Sequence, residues 1–175
     1  MKRIIYFISL PVVCIAAVII IMEYTIEYPT SGIINKDAPV LTRKSIIINA
    51  DLEKIWTIMA NVNHWDTWQS EIENPNLTGR FIAGNSFTWK TGGLNIRSTL
   101  HTAKPFDMIG WSGPAFGSFA VHNWTFIRLP NGSIEVKVEE SMEGWLVSLL
   151  PGKFQKGLES SLEIWLKALK VVAEK

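Results

Sequence analysis

The chain has a single cysteine, Cys14, among its 175 residues, so no disulfide can staple it. That poverty is compatible with a reducing or an oxidising compartment and selects neither. Charge of one sign is also missing: 17 basic and 16 acidic residues leave a formal net charge of +1, with the basic residues spread along the sequence. Without a basic stripe there is no electrostatic footprint for nucleic acid, which is set aside as a partner. The three histidines, His64, His101 and His122, are far apart and lack ligand spacing, so no metal site is expected. Gly110-Trp111-Ser112-Gly113 lacks the spacing of a nucleophile elbow. Gly92-Gly93 opens no helix and is a turn rather than a phosphate loop, and no cofactor is expected. Repeats and low-complexity tracts are absent, which leaves length for one domain with a real core and one extra element.

That element is at the start. Ile4 to Met22 carries no charge and follows Lys2 and Arg3. As a helix it is about 28 Å long, close to the roughly 30 Å hydrocarbon core of a bilayer. A cleaved signal has a shorter apolar stretch and a small-residue site; Glu23-Tyr24-Thr25-Ile26-Glu27-Tyr28 offers none. A lipoprotein signal would use Cys14, but branched Val13 precedes it and the cysteine sits in mid-stretch. An uncleaved N-terminal transmembrane helix is preferred, with Pro11 kinking it. Lys2 and Arg3 hold the N-terminus in the cytoplasm and put the domain on the outer face. Residues 1–28 are thus expected as membrane anchor, 29–42 as a tether with Pro29, Gly32 and Pro39, and 43–175 as the domain.

Within the domain, Arg43 to Asn49 reads as a first strand. Asn49 or Asp51 is placed to cap the following helix, in which Leu52, Ile55, Trp56 and Met59 share a face. A second short helical segment carries His64, Trp65 and Trp68. From about Phe81 to Met142, glycines punctuate strands at roughly ten-residue intervals, as in an antiparallel meander. Phe154, Leu158, Leu162, Trp165, Leu169 and Val172 then recur at steps of three and four, the apolar stripe of a long amphipathic helix. The fold class is α+β: a curved antiparallel sheet of about seven strands whose concave face is buried under that helix.

The last hairpin can be registered from alternation alone. His122, Trp124 and Phe126 share one strand face with Ala120; Val136, Val138 and Glu140 share a face of the next. If both apolar faces look inward, Phe126 opposes Val136, Trp124 opposes Val138, and His122 opposes Glu140. The turn around Pro130-Asn131-Gly132 must then have an odd number of residues or a bulge. An imidazole and a carboxylate meet on an otherwise apolar surface, where a buried Glu needs such a partner. His101 points outward if Ile96, Ser98 and Leu100 point in.

These residues resemble a family. Ile48-Asn49-Ala50-Asp51 with Ile55-Trp56, then Trp65 and Trp68, then Gly84-Asn85-Ser86-Phe87-Thr88-Trp89, are similar to the opening of SRPBCC domains. Ile109-Gly110-Trp111-Ser112-Gly113, Ala120-Val121-His122-Asn123-Trp124, Glu140-Ser141 with Gly144, and Gly157-Leu158-Glu159 continue the likeness over residues 43–173. That superfamily gathers START lipid-transfer domains, birch-pollen-allergen-like proteins, coenzyme-Q-binding proteins and polyketide cyclase/dehydratase-like domains. The chain most resembles the last branch. The resemblance implies a helix-grip fold with an apolar cavity between sheet and terminal helix, and it implies no particular reaction.

The residues placed along that cavity are Trp56, Trp89, Ser98, Trp111, His122, Trp124, Phe126, Val138, Glu140, Phe154, Leu158, Leu162 and Trp165. In the family fold Trp65, Trp68 and Trp145, with Leu146, Val147, Leu149 and Leu150, would form a sticky rim at the mouth, able to act as a lid or to meet a membrane. His122 and Glu140 are the candidate catalytic residues; an internal hydrogen bond or a polar anchor for a ligand is preferred to general-base catalysis. The preferred function is a membrane-tethered binding domain for a small hydrophobic ligand such as a lipid, quinone or polyketide-like compound. A cyclase or dehydratase-like enzyme using His122, and a protein-interaction module with a filled groove, remain as alternatives.

Overall fold

The structure is a computed structural model that describes residues 2–26, 28 and 32–175, with the side chains of 12–23, 25–26, 28 and 32–175. Seven strands form one antiparallel sheet in the order β1-β7-β6-β5-β4-β3-β2. They are β1 (Val40–Ile48), β2 (Glu73–Leu77), β3 (Ser86–Thr91), β4 (Leu94–Lys104), β5 (Met108–Ala115), β6 (Ser118–Arg128) and β7 (Ile134–Glu143). Four α-helices accompany them: α1 (Lys2–Thr25), α2 (Leu52–Ala60), α3 (Trp145–Leu149) and α4 (Pro151–Ala173). A 3-10 segment, Val62–Thr67, follows α2.

α4 lies across the concave side with Leu158, Leu162, Trp165, Leu166, Leu169 and Ala173 buried, the stripe expected from its three-and-four spacing. Pro151 opens it, where a missing N–H costs nothing. α2 starts at Asp51 as expected, but the Asp51 side chain makes no capping bond and only its carbonyl accepts, from Ile55 N. The sheet reaches further than the sequence suggested. β1 begins at Val40, three residues before Arg43, and runs the whole length of β7 from Val40↔Met142 to Ile48↔Ile134.

The β6–β7 register is the expected one: Phe126↔Val136, Trp124↔Val138 and His122↔Glu140. Leu129 and Ser133 close the hairpin through Leu129 N to Ser133 O at 2.8 Å, leaving the odd three-residue turn Pro130-Asn131-Gly132 with Gly132 at φ 85°. The β3–β4 turn is the two-residue Gly92-Gly93, both with positive φ, as a tight primed turn requires.

The N-terminal side of the domain packs on the convex face. Asn35 N donates to Ser141 Oγ at 3.1 Å, and Asn123 Nδ2 donates to Gly32 O at 3.2 Å. His101 lies beneath this crossing, at a bulge where β4 shifts register against β5 between Leu100 and Thr102. A Cβ at either Gly32 or Gly110 would overlap the His101 ring, so both glycines are needed for the close approach. His101 does face away from the concave side, yet it is covered rather than solvated. Burial is the main cause that holds its pKa below the ordinary 6.5, with nearby His122 adding to it and backbone groups at Trp111 and His122 opposing it.

α1 is helical over Lys2–Thr25, and of its described apolar side chains Val12, Val13, Ile15, Val18, Ile20 and Ile21 are exposed while Ile19 and Met22 are half-buried. Among the described residues no helix is long and apolar enough to cross a membrane. Part of the expected span, residues 4–11, lies outside those whose side chains are described, so the transmembrane expectation rests on the sequence of Ile4–Met22 alone.

Two outcomes follow from the fold. Leu169 is fully buried on the inner face of α4, and Leu169→Ala is expected to cost about 2–5 kcal/mol in urea unfolding. His101 titrates with a lowered folded pKa, so the unfolded chain binds more protons below pH 6.5. Stability is therefore full above that pH and declines as pH falls beneath it. Urea midpoints measured across this range should show that decline, and His101→Gln should flatten it.

Candidate functional site

Strand alternation builds the site. Trp111, Gly113 and Ala115 of β5, Ser118, Ala120, His122 and Trp124 of β6, and Glu140 and Met142 of β7 face α4. Between them and α4 is a cavity of about 440 Å³. Phe154, Gly157, Leu158, Ser161, Leu162 and Trp165 form its roof from one face of α4. Trp89 and Thr91 of β3 with Leu94, Ile96 and Ser98 of β4 form its far wall.

One polar pair interrupts this lining. His122 Nδ1 approaches Glu140 Oε2 to 2.6 Å, with the two side chains 14% and 4% exposed. The approach is a close polar contact outside hydrogen-bond geometry, and Oε2 accepts no hydrogen bond. The indole of Trp111 stacks on the imidazole with centroids 5.0 Å apart and planes 22° from parallel. Glu140 and Trp111 therefore fix the ring from two sides, and Nε2 is the nitrogen left for a ligand. Ser98 is already engaged: its Oγ accepts from Trp89 Nε1 at 3.0 Å. Among the described residues no group of histidine, cysteine and carboxylate side chains could hold a metal.

Most of the residues expected along the cavity line it: Trp89, Ser98, Trp111, His122, Trp124, Glu140, Phe154, Leu158, Leu162 and Trp165. Trp56, Phe126 and Val138 do not. Trp56 packs against Phe81, Phe106 and Phe126 at centroid distances of 6.0, 5.8 and 6.2 Å, a filled aromatic plug under α2. Val138 is buried in the same core cluster as Phe126.

The expected rim also needs correction. Trp65 is fully buried, donates Nε1–H to Met59 O at 3.0 Å, and meets Trp165 edge-on at 5.1 Å. Trp68 meets Trp165 at 5.4 Å. Trp65 and Val147 belong to the core, and half-buried Trp68 packs against it. Leu146 and Leu150 of the expected rim do line the cavity, and Leu94 and Lys153 join them there, near the β5–β6 turn. Gly157 and Ser161 were missed because apolar periodicity does not register small or polar positions. They lie one turn apart, and a Cβ on Gly157 would meet nothing within 4 Å.

His122→Ala should strand the buried Glu140 carboxylate and cost about 1–3 kcal/mol in urea unfolding. Replacing both, with Glu140→Met, should recover most of that loss, because no unpartnered acceptor would remain.

No family model matches the chain, and no curated protein matches it. Solved structures do. A hypothetical protein of Helicobacter pylori superposes with TM-score 0.72 at 18% identity, over 85% of this chain and 96% of that one. A START superfamily protein of Mycobacterium smegmatis matches with TM-score 0.65 at 17% identity, over 77% of this chain and 97% of that one. The di-domain ARO/CYC StfQ of the steffimycin biosynthetic pathway matches with TM-score 0.61 at 18% identity, over 76% of this chain and 44% of its own length. The fold is shared with these three proteins.

Proposed function

We propose that this chain holds a small hydrophobic molecule, such as a lipid, quinone or polyketide-like compound, in the cavity beneath α4. The observation that carries the reading is an apolar hollow of about 440 Å³ with one buried polar pair on its floor. That volume falls within the range of small-molecule sites, which combine apolar walls with a few placed polar groups. Each 100 Å² of apolar ligand surface withdrawn from water would contribute about 2.5 kcal/mol, before the entropy of association is subtracted. His122 and Glu140 would supply the directional contact. The START and ARO/CYC neighbours share the architecture and are compatible with this reading. A groove filled by side chains would have favoured an interaction module; the open volume argues against that alternative.

The same proposal includes tethering. The nineteen uncharged residues Ile4–Met22 after Lys2 and Arg3 support an anchor with its N-terminus in the cytoplasm and the domain on the outer face.

A second reading, catalysis, is favoured by one observation, the clamped imidazole. With Nδ1 against Glu140 and its face against Trp111, His122 could take a proton alpha to a ligand carbonyl through Nε2, as a cyclase or dehydratase requires.

Native mass spectrometry of the membrane-extracted protein should show a bound apolar molecule, and an empty spectrum would remove the binding reading. Gly157→Leu should abolish that occupancy by filling the cavity. It should also raise the melting temperature, since leucine is favoured over glycine in a helix by about 1 kcal/mol. If the protein dehydrates its ligand, the molecule recovered from His122→Gln should be heavier by one water than that from the parent. Equal masses would remove the dehydratase reading.

A further inference from the structure

The carboxylate of Glu23, near the end of α1, is bound to the domain. Its Oε1 accepts from Gly117 N at 2.8 Å and from Trp145 Nε1 at 2.6 Å. Gly117 is the tip of the β5–β6 turn and Trp145 is the first residue of α3, so one carboxylate oxygen clasps both elements. Two N–H donors to a carboxylate make a strong, directional joint. A Cβ on Gly117 would overlap Leu146 and crowd the Trp145 ring, so the turn is seated directly on α3.

These are the elements that border the cavity mouth. Leu94 (45% exposed) and Leu150 (42%) line the cavity itself, and Phe116 (49%) of the β5–β6 turn and Leu149 (67%) of α3 adjoin lining residues Ala115 and Leu150 in the chain. Phe116 is held edge-on against Trp145 with centroids 5.6 Å apart, so it is displayed rather than tucked in. Large apolar side chains this exposed, on the elements that line one cavity, mark a docking surface.

The clasp indicates what the rim meets. α1 presents Val12, Val13, Ile15, Val18, Ile20 and Ile21 to its surroundings, each more than half exposed. Apolar side chains on every side of a helix call for a hydrocarbon environment, not one protein face. The last of them precedes Glu23 by two residues. Whatever apolar phase takes α1 is thus brought by Glu23 to the edge of the Leu94, Phe116, Leu149 and Leu150 rim.

We propose that this rim docks on a lipid surface, the one that receives α1, with Glu23 as the clasp that turns the cavity mouth toward it. The proposal rests on the tethered-container reading and adds the route by which the container is filled. An apolar ligand would pass between bilayer and cavity without crossing water, and the β5–β6 turn and α3 would lie at the interface. Lys153, at the mouth on the first turn of α4, would sit at headgroup level.

The test uses the full chain in phosphatidylcholine vesicles. With Cys14→Ser, single cysteines are introduced by Phe116→Cys, Leu149→Cys and, at the opposite end of the sheet, Ile82→Cys. Each is labelled with an environment-sensitive nitrobenzoxadiazole dye. Lipids spin-labelled near the glycerol backbone serve as quenchers. Labels at 116 and 149 should shift to the blue and be quenched, while the label at 82 should show neither. Glu23→Ala should reduce quenching at 116 and 149 while the protein stays with the vesicles. Water-like emission at all three sites would overturn the docking surface, and undiminished quenching in Glu23→Ala would overturn the clasp. Cavity occupancy, read separately by native mass spectrometry in detergent, distinguishes the two failures. Bound ligand with water-exposed labels removes only the docking; lipid-buried labels without ligand uphold the docking and remove the container.

Discussion

The structure depends on Trp165. From the middle of α4 it meets Trp65 at 5.1 Å, Trp68 at 5.4 Å, Trp124 at 5.8 Å and Trp111 at 6.3 Å, joining the terminal helix, the 3-10 segment and the two central strands through one indole. Aromatic contacts of this kind add to area burial and have preferred geometries, so they fix both distance and angle. α4 cannot settle further onto the sheet at this point, nor lift from it without breaking the cluster. Toward Trp56 the concave side is packed solid by aromatic rings; toward the β3–β4 and β5–β6 turns the same separation, with smaller side chains, leaves a hollow. The cavity is what remains when a helix is held off a curved sheet at one end by tryptophans.

How much of this was legible in the sequence varied with the local signal. The β6–β7 register followed from alternation because a one-residue slip would have put Trp124 and Val136 in water. That single constraint brought His122 to Glu140. The α4 stripe followed from its period for the same reason. Trp65 and Trp68 misled, since a 3-10 segment has no period of its own that a short window can show. Both pack against Trp165, a partner roughly a hundred residues away. Trp56 was assigned to the right interior but the wrong end of it, because alternation gives the face of a residue and not its depth along the groove. The early start of β1 had no apolar period to announce it: Val40, Leu41 and Thr42 follow Pro39, and their strand character comes from pairing with β7.

The convex face carries a different kind of order. Here the packing is held by polar contacts and missing side chains: Asn35 on Ser141, Asn123 on Gly32, and His101 enclosed between Gly32 and Gly110. Such contacts depend on tertiary approach and leave no pattern in sequence. They matter because β4 carries part of the far wall of the cavity, and β5 part of its floor, on their other side. The bulge that sends His101 outward also sets Leu100 and Trp111 opposite each other, and Trp111 is the ring that stacks on His122. The polar pair inside is thus positioned partly by packing outside.

The two ends of the cavity should differ in stiffness. The closed end is a network of large rings with little exposed surface, and separating them would uncover apolar area on every side. The mouth is made of turns and a five-residue helix, with Gly92, Gly93, Gly117 and Gly144 all at positive φ. Val147 is the one buried residue of α3, and local opening costs least where buried apolar contacts are fewest. Exchange of a ligand is therefore easiest at the mouth, and the contacts that restrain it there are Phe116 on Trp145 and the Glu23 carboxylate on both elements. A restraint supplied from outside the sheet can be altered without disturbing Trp165, so opening the container need not unfold it.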